Sequence, residues 1–376
     1  MSFPSALVAI LALSAALPRS AGAGQAAGQL LLRDFKPESM LRVAETTVDR
    51  ARFPVIDVHN HANDARTLTG PHPSAAELVA RMDRANIQRV VILTGGFGES
   101  LQRVLDTMVT PYPDRFTVFA QLDWSKVAEP GFSDEMVALL RDAVKRGARG
   151  LKILKEFGLQ YRDASGKLVA VDDPRLDPVW AECGRLGIPV AIHVGDPAAF
   201  FLPLDARNER YEELQAHPDW AFSGKDFPSL ASILQAVERV FARHPQTSFV
   251  WLHVGNWPEN LDYIGGVLNR RPNVVVEISA RQADLGRAPR RTRKFIIDFQ
   301  DRVLFGLDAP LTEEAYRSYF RWLETEDEYF DYYGSPGQGR WKIYGLGLPD
   351  PVLEKVYHRN AERILGPFKS ESGSSR

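Results

Sequence analysis

Short runs of apolar and β-branched residues recur along the chain, separated by stretches whose apolar positions follow a helical repeat. The runs cover residues 53–57, 89–94, 116–123, 150–154, 189–194, 248–254, 274–279 and 303–307. Each is five to eight residues long, nearly continuous in apolar character and closed by polar or turn-forming positions. That is the pattern of a strand buried on both faces. Helical spacing occupies most intervals between them, at 74–85, 132–146, 177–186, 229–241, 260–269 and 291–299. Strands alternating with helices predict parallel strands joined by crossover connections. Eight such units fit an α/β chain folded as a (β/α)8 TIM barrel better than an open doubly wound sheet.

Two intervals are longer than a crossover needs. Residues 195–228 follow the fifth strand and carry Phe200, Phe201, Arg207, Arg210 and Trp220. Residues 311–349 follow the eighth and carry Trp322, Tyr329, Tyr332, Tyr333 and Trp341. Both are read as loops inserted at strand C-terminal ends, where barrel active sites are built. Aromatic-rich loops there form either substrate walls and lids or a dimer surface. No Gly-x-Gly-x-x-Gly follows an early strand, and Gly95-Gly96-Phe97-Gly98 lacks that spacing, so dinucleotide binding is not indicated. The barrel is expected over 53–368, after a lead-in at 24–52 and before a flexible polar tail at 369–376.

The 376 residues are 44% hydrophobic and 25% charged, with a formal net charge of −2. No basic run exceeds Arg290-Arg291-Thr292-Arg293-Lys294, so nothing marks a nucleic-acid partner. A small-molecule substrate is the expected partner. Residues 6–17 are apolar, too short to span a bilayer. They are followed by Pro18 and by small residues at Ala21 and Ala23, the form of an export signal with its cleavage site. The segment before them lacks Lys or Arg. On this reading the mature chain is periplasmic or secreted and has no membrane span. The single cysteine, Cys183, excludes an intrachain disulfide framework and any cysteine-based zinc site.

The chemistry sits where strands end. The first strand runs Val55-Ile56-Asp57-Val58 into His59-Asn60-His61. Residues spaced i, i+2 on an extended strand share a face, roughly 6.5–7 Å apart. Two such imidazoles can share one metal ion, although a strand with one core and one surface histidine would look the same. The fifth strand ends in His193, the sixth in His253 and the eighth in Asp308. A polar group at the end of a buried strand is costly unless satisfied. Five of them at one end of one barrel imply a common partner, and one divalent metal ion answers all five. Three imidazoles and a carboxylate suit zinc first, with manganese or another first-row ion next. Ligands spread from residue 59 to 308 favour a catalytic over a structural site.

These motifs, with Gly150-Leu151-Lys152-Ile153, Leu252-His253-Val254-Gly255, Phe305-Gly306-Leu307-Asp308-Ala309-Pro310 and the late Asn360-Ala361-Glu362-Arg363-Ile364-Leu365, resemble the amidohydrolase superfamily in its amidohydrolase 2 branch. The resemblance spans residues 53 to about 366. It implies His59, His61 and His193 as metal ligands, with Asp308 as a further ligand or a base beside the metal. It implies His253 as a catalytic histidine that polarises the substrate carbonyl or holds an oxyanion. Lys152 would be a carboxylated lysine bridging two metals, a contact to an anionic substrate, or a partner of Glu156 or Glu277. Glu277 would orient a ligand histidine or pair with Arg281. Arg207 and Arg281 could take an anionic group or stand in solvent. Family habit suggests a homodimer. His72, His217, His244 and His358 sit in turns, loops or the last helical stretch and are not expected to be ligands.

Three functions follow. The first is a metal-dependent hydrolase of an ester, lactone or amide. The second is a non-oxidative decarboxylase of an aromatic or unsaturated carboxylate using the same site, against which the intact His59-Asn60-His61 weighs. The third is a non-catalytic binding barrel, against which the full set of strand-end residues weighs. If residues 1–23 are an export signal, protein recovered from its native host begins near Gly24 by N-terminal sequencing; material that keeps Met1 contradicts the export reading.

Overall fold

The computed structural model describes residues 30–31, 34–63 and 73–366. The expected export signal, His72 and the tail at 369–376 lie outside them. The chain divides into two compact units, Met1–Arg42 and Val43–Arg376. The described part of the first has no regular secondary structure apart from a turn, and its apolar side chains, Phe35 and Met40 among them, are exposed.

The second unit holds eight parallel strands: β1 (Val55–Asn60), β2 (Ile87–Ile92), β3 (Phe116–Val118), β4 (Leu151–Ile153), β5 (Val190–Ile192), β6 (Phe249–Trp251), β7 (Val274–Glu277) and β8 (Val303–Leu304). Continuous ladders order them β1-β2-β3 and β4-β5-β6-β7-β8. Backbone bonds join the two sets. Ala120 bridges Leu151 in parallel, with Lys152 N donating to Ala120 O at 2.8 Å. Val58 N donates to Phe305 O at 3.1 Å and Asp308 N to His59 O at 2.8 Å, which ties β8 to β1. The chain is a (β/α)8 TIM barrel.

The helices form where the spacing placed them. Ser74 caps the helix Ala75–Ala85 in a reciprocal capping box with Glu77. The helices Phe132–Arg146 and Asp177–Leu186 end at glycines with positive φ, Gly147 and Gly187. Their apolar faces and the outward residues of the strands make one core layer. A second cluster fills the barrel interior, with Ile56, Val58, Val91, Leu93, Phe119, Ala191, Val250, Leu252, Val275 and Leu304. Ala361 of the helix Asn360–Leu365 belongs to that cluster, and Ile364 and Leu365 pack against it.

The region after β8 differs from its reading as one long loop. Residues Glu313–Glu324 are a helix, with Tyr316, Phe320 and Trp322 fully buried in the outer core. Their spacing is helical, but the density of aromatics resembles a loop rich in contact residues. Residues 325–349 are irregular, as are most of 193–229 apart from short helices such as Tyr211–Ala216. Among the described residues no helix is long and apolar enough to cross a membrane.

Asn360 fastens the closing helix to the barrel. Its buried amide donates to Gln300 O at 2.7 Å and Val303 O at 2.8 Å. Asn360→Ala leaves two carbonyls unpaired and should lower unfolding free energy by about 1–3 kcal/mol. Chemical denaturation checks this; a midpoint equal to wild type would show that these bonds contribute nothing net.

Candidate metal centre

Simple alternation would point the first histidine the wrong way. Ile56 and Val58 face the barrel interior, so His59 should share the outward face of Asp57. The ladder with β2 is irregular here: Asp57 pairs with Val90 but Asn60 with Ile92, three steps on β1 against two on β2. The extra residue is a β-bulge, and a slip of one residue turns the following side chains to the other face. His59 thereby reaches the centre of the barrel mouth. Asp57 stays outside. Its carboxylate accepts from Tyr316 Oη at 2.7 Å, Asn60 Nδ2 at 2.9 Å, His59 N at 3.0 Å and Leu307 N at 3.1 Å. Burial pushes its pKa up to about 7 against the pull of these bonds. It joins the end of β1 to β8 and the helix Glu313–Glu324.

Glu277, fully buried at the end of β7, sits beneath the histidines. Its Oε1 accepts from His59 Nδ1 at 3.0 Å, His253 N at 2.8 Å and Ser279 Oγ at 2.8 Å, and Oε2 from Ser279 N at 2.5 Å. Gly306 makes the room: a Cβ there would lie 2.5 Å from Glu277 Oε2 and 3.1 Å from His59 Cβ. His253 Nδ1 donates to Ser279 O at 3.0 Å. Both rings therefore carry their proton on Nδ1, and their Nε2 lone pairs face the mouth. Burial holds His59, His193 and His253 well below the ordinary histidine range, so all three are neutral.

Asp308 lies among those nitrogens. Its Oδ1 is 3.1 Å from His61 Nε2 and 3.5 Å from His59 Nε2, and its Oδ2 is 3.6 Å from His253 Nε2. Burial opposes its ionisation; positive charge on the neighbouring imidazoles, when one carries it, and the hydrogen bond from His61 Nε2 act the other way and draw it below the usual carboxylate range. The backbone here is strained. Asp308 (φ 50°), His253 (φ 57°), Val254 (φ 51°) and Ala280 (φ 52°) all occupy the left-handed region. Such residues cost on the order of 1–3 kcal/mol each and persist only where their surroundings over-determine them. The bond from His253 N to Glu277 is one such restraint.

The donor set fits a divalent ion. One potential ligand atom each from His59, His61 and Asp308 lies within 4.8 Å of the others. The Nε2 atoms of His193 and His253 are buried without a hydrogen-bond partner. The His193 ring is 4.4 Å from that of His253, with its Nε2 3.6 Å from Asp196 Oδ1. His59, His253 and Glu277 also cluster, but there the Nδ1 atoms are engaged with Glu277 and Ser279, so this group orients rings and does not hold an ion. Lys152, buried on β4, places Nζ 3.4 Å from His59 Nε2, and burial lowers its pKa to about 8. Arg281 is 6% exposed and forms no ion pair among the described residues. Arg207 is not part of the site. Its side chain is 91% exposed and bonds Asp205, because the segment that carries it runs over the surface.

One expected role changes. A neutral His253 has its only ring proton on Nδ1, committed to Ser279, so Nε2 accepts and cannot donate to an oxyanion. Sequence reasoning also missed the parts played by Ser279, Gly306 and Asp57. Ser279 and Gly306 were findable, since they alternate in phase with Glu277 and Asp308. His217 is no ligand; it stacks on Trp220 with ring centroids 4.1 Å apart and lines a cavity of about 720 Å3 that opens over Asp308. His244 and His358 stand by carboxylates of Asp177 and Glu362.

Imidazoles and a carboxylate gathered at the C-terminal mouth of a (β/α)8 barrel define the class of metal-dependent barrel enzymes. Within it, this chain belongs to the amidohydrolase 2 family, whose model, described as amidohydrolase, matches residues 56–366. An uncharacterised TIM-barrel protein of Bordetella bronchiseptica is 22% identical and aligns with TM-score 0.50 over 83% of this chain and 98% of its own. A dihydroxybenzoic acid decarboxylase of a Polaromonas species, solved with manganese and 2-nitroresorcinol, is 16% identical with TM-score 0.53 over 83% and 97%. A probable 2-pyrone-4,6-dicarboxylic acid hydrolase of Acinetobacter baumannii, solved with citric acid, is 15% identical with TM-score 0.52 over 84% and 100%. These likenesses carry the fold. A search of curated proteins finds no match.

Glu277→Gln removes the acceptor that fixes the His59 tautomer. Divalent-ion affinity, measured by equilibrium dialysis, should fall about 10–100-fold; unchanged affinity would show that Glu277 is a structural anchor only.

Proposed function

We propose that this enzyme hydrolyses a carboxylic ester, lactone or amide, using one divalent ion held by His59, His61, His193 and Asp308. Zinc is the first choice and manganese the second, from the mixed imidazole and carboxylate donors. A divalent ion bound there supplies Lewis acidity, polarising an oxygen and acidifying water. The observation that carries the reading is the position of Asp308, whose carboxylate lines the cavity 3.1 Å from His61 Nε2 and 3.6 Å from His253 Nε2.

The side chains then divide the work. Asp308 is the group placed to accept a proton from water at the cavity floor. His253, neutral and with Nε2 unpartnered, takes that proton on and delivers it to the leaving group. Ser279 and Glu277 keep its ring aimed through both changes of charge. His217, Trp220, Tyr332 and Tyr333 from the two long segments after β5 and β8 wall the cavity and displace water from one side of it, which strengthens these electrostatic contacts.

A second reading is decarboxylation of a carboxylate substrate. Arg281 favours it, being buried and without an ion-pair partner among the described residues, as does buried Lys152. Either cation would take a substrate carboxylate. Acid released from esters and lactones supports hydrolysis, whereas carbon dioxide released from aromatic acids, with esters untouched, replaces it with the second reading.

The division of roles gives opposite expectations for two histidines. His193→Ala should lose the ion, and His253→Ala should retain it while kcat falls about a hundredfold or more. Equal loss of metal in both variants, by elemental analysis, would end this assignment.

A further inference from the structure

With Nδ1 of His253 committed to Ser279 O, the side-chain donors so far described at the mouth are the buried cations Lys152 and Arg281. Tyr319 adds an uncharged one. It projects from the helix Glu313–Glu324 and lines the cavity together with Asp308, Leu307 and Ala280. It is only 2% exposed; its hydroxyl oxygen accepts from the Ala280 backbone N–H, and no described residue accepts its hydrogen. A buried hydroxyl that donates to nothing is an expense the fold tolerates where a ligand completes the bond.

The ring is held in place. Phe305 packs edge-to-face at 5.9 Å and Trp322 at 5.8 Å between centroids, which leaves the phenol a fixed direction. The side chain sits in the field of Asp308, Glu277 and Arg281. Its helix neighbour one turn earlier, Tyr316, shows the contrast: that hydroxyl is spent on Asp57 at 2.7 Å. We propose that Tyr319 is a catalytic residue whose hydroxyl donates a hydrogen bond to the substrate oxygen that gains charge during reaction. Burial raises its pKa further above the ordinary tyrosine range, so it remains a neutral donor at working pH. A preorganised donor of this kind acts on charge as it develops and needs no reorganisation.

The inference rests on the hydrolytic reading, and the test separates the two. Wild type and Tyr319→Phe holoenzyme are compared for metal content, thermal melting, turnover of an ester or of an aromatic carboxylate, whichever wild type accepts, and calorimetric binding of phenylphosphonate. The phosphonate offers charged tetrahedral oxygens and requires no turnover. The expected result is unchanged metal content and melting, a kcat/KM about 10–1,000-fold lower and phosphonate binding about tenfold or more weaker. If wild type releases only carbon dioxide and Tyr319→Phe still weakens both readouts, the hydrolytic reading fails and the donor stands. Equal phosphonate affinity and equal kcat/KM in the two proteins overturn the donor.

Discussion

A carboxylate taken fully out of water must be surrounded by donors or the strand that carries it will not stay folded. Glu277 is such a group. Its two oxygens gather His59 Nδ1, Ser279 Oγ, Ser279 N and His253 N within 3.0 Å. Each partner is thereby placed, because none can move without stranding the charge. The consequence reaches the chemistry through tautomers. With Nδ1 of His59 committed to an acceptor and Nδ1 of His253 to Ser279 O, both rings turn unprotonated Nε2 atoms to the mouth. Burial keeps them neutral, so those lone pairs remain available for a metal ion or a proton.

Three local departures from ideal geometry serve the same end. The bulge in β1 turns His59 inward. The left-handed residues after β6 and β8 aim His253 and Asp308 across the opening. Gly306 supplies the space in which Glu277 and His59 meet. Each would be unfavourable in isolation. Together they are stabilised by the bonds around Glu277 and Asp57, and the wide core beneath, sealed by Ala361, Ile364 and Leu365, provides the rigid base.

The frame was readable because its signals are periodic. Eight apolar runs and their intervening helical repeats survive any local irregularity, and ionisable residues closing buried strands announce themselves against an apolar background. What alternation alone could not reveal was which face a residue takes after a bulge. Asp57 and His59 are two apart and yet part company, one bonding Tyr316 outside the barrel and the other Glu277 within. Tautomers were equally hidden, since the proton on His253 is decided by the carbonyl of Ser279, 26 positions away. Arg207 and Arg281 look alike in sequence, but the first is solvated and the second buried. Trp322 reads as part of an inserted loop because the aromatic density around it resembles a binding surface, whereas it belongs to the core helix Glu313–Glu324.

The site as a whole combines neutral nitrogen acceptors, one ionised carboxylate and nearby buried cations, a set suited to binding a divalent ion and an oxygen-rich substrate. Whether the strand-end residues act as one centre is the claim on which everything else depends. The most direct test is elemental analysis of purified wild type beside His59→Ala. The account requires about one equivalent of zinc or manganese in wild type and its loss in the variant with the fold retained. Well-folded wild type that takes up no ion even on reconstitution, or His59→Ala that keeps a full equivalent, would contradict it.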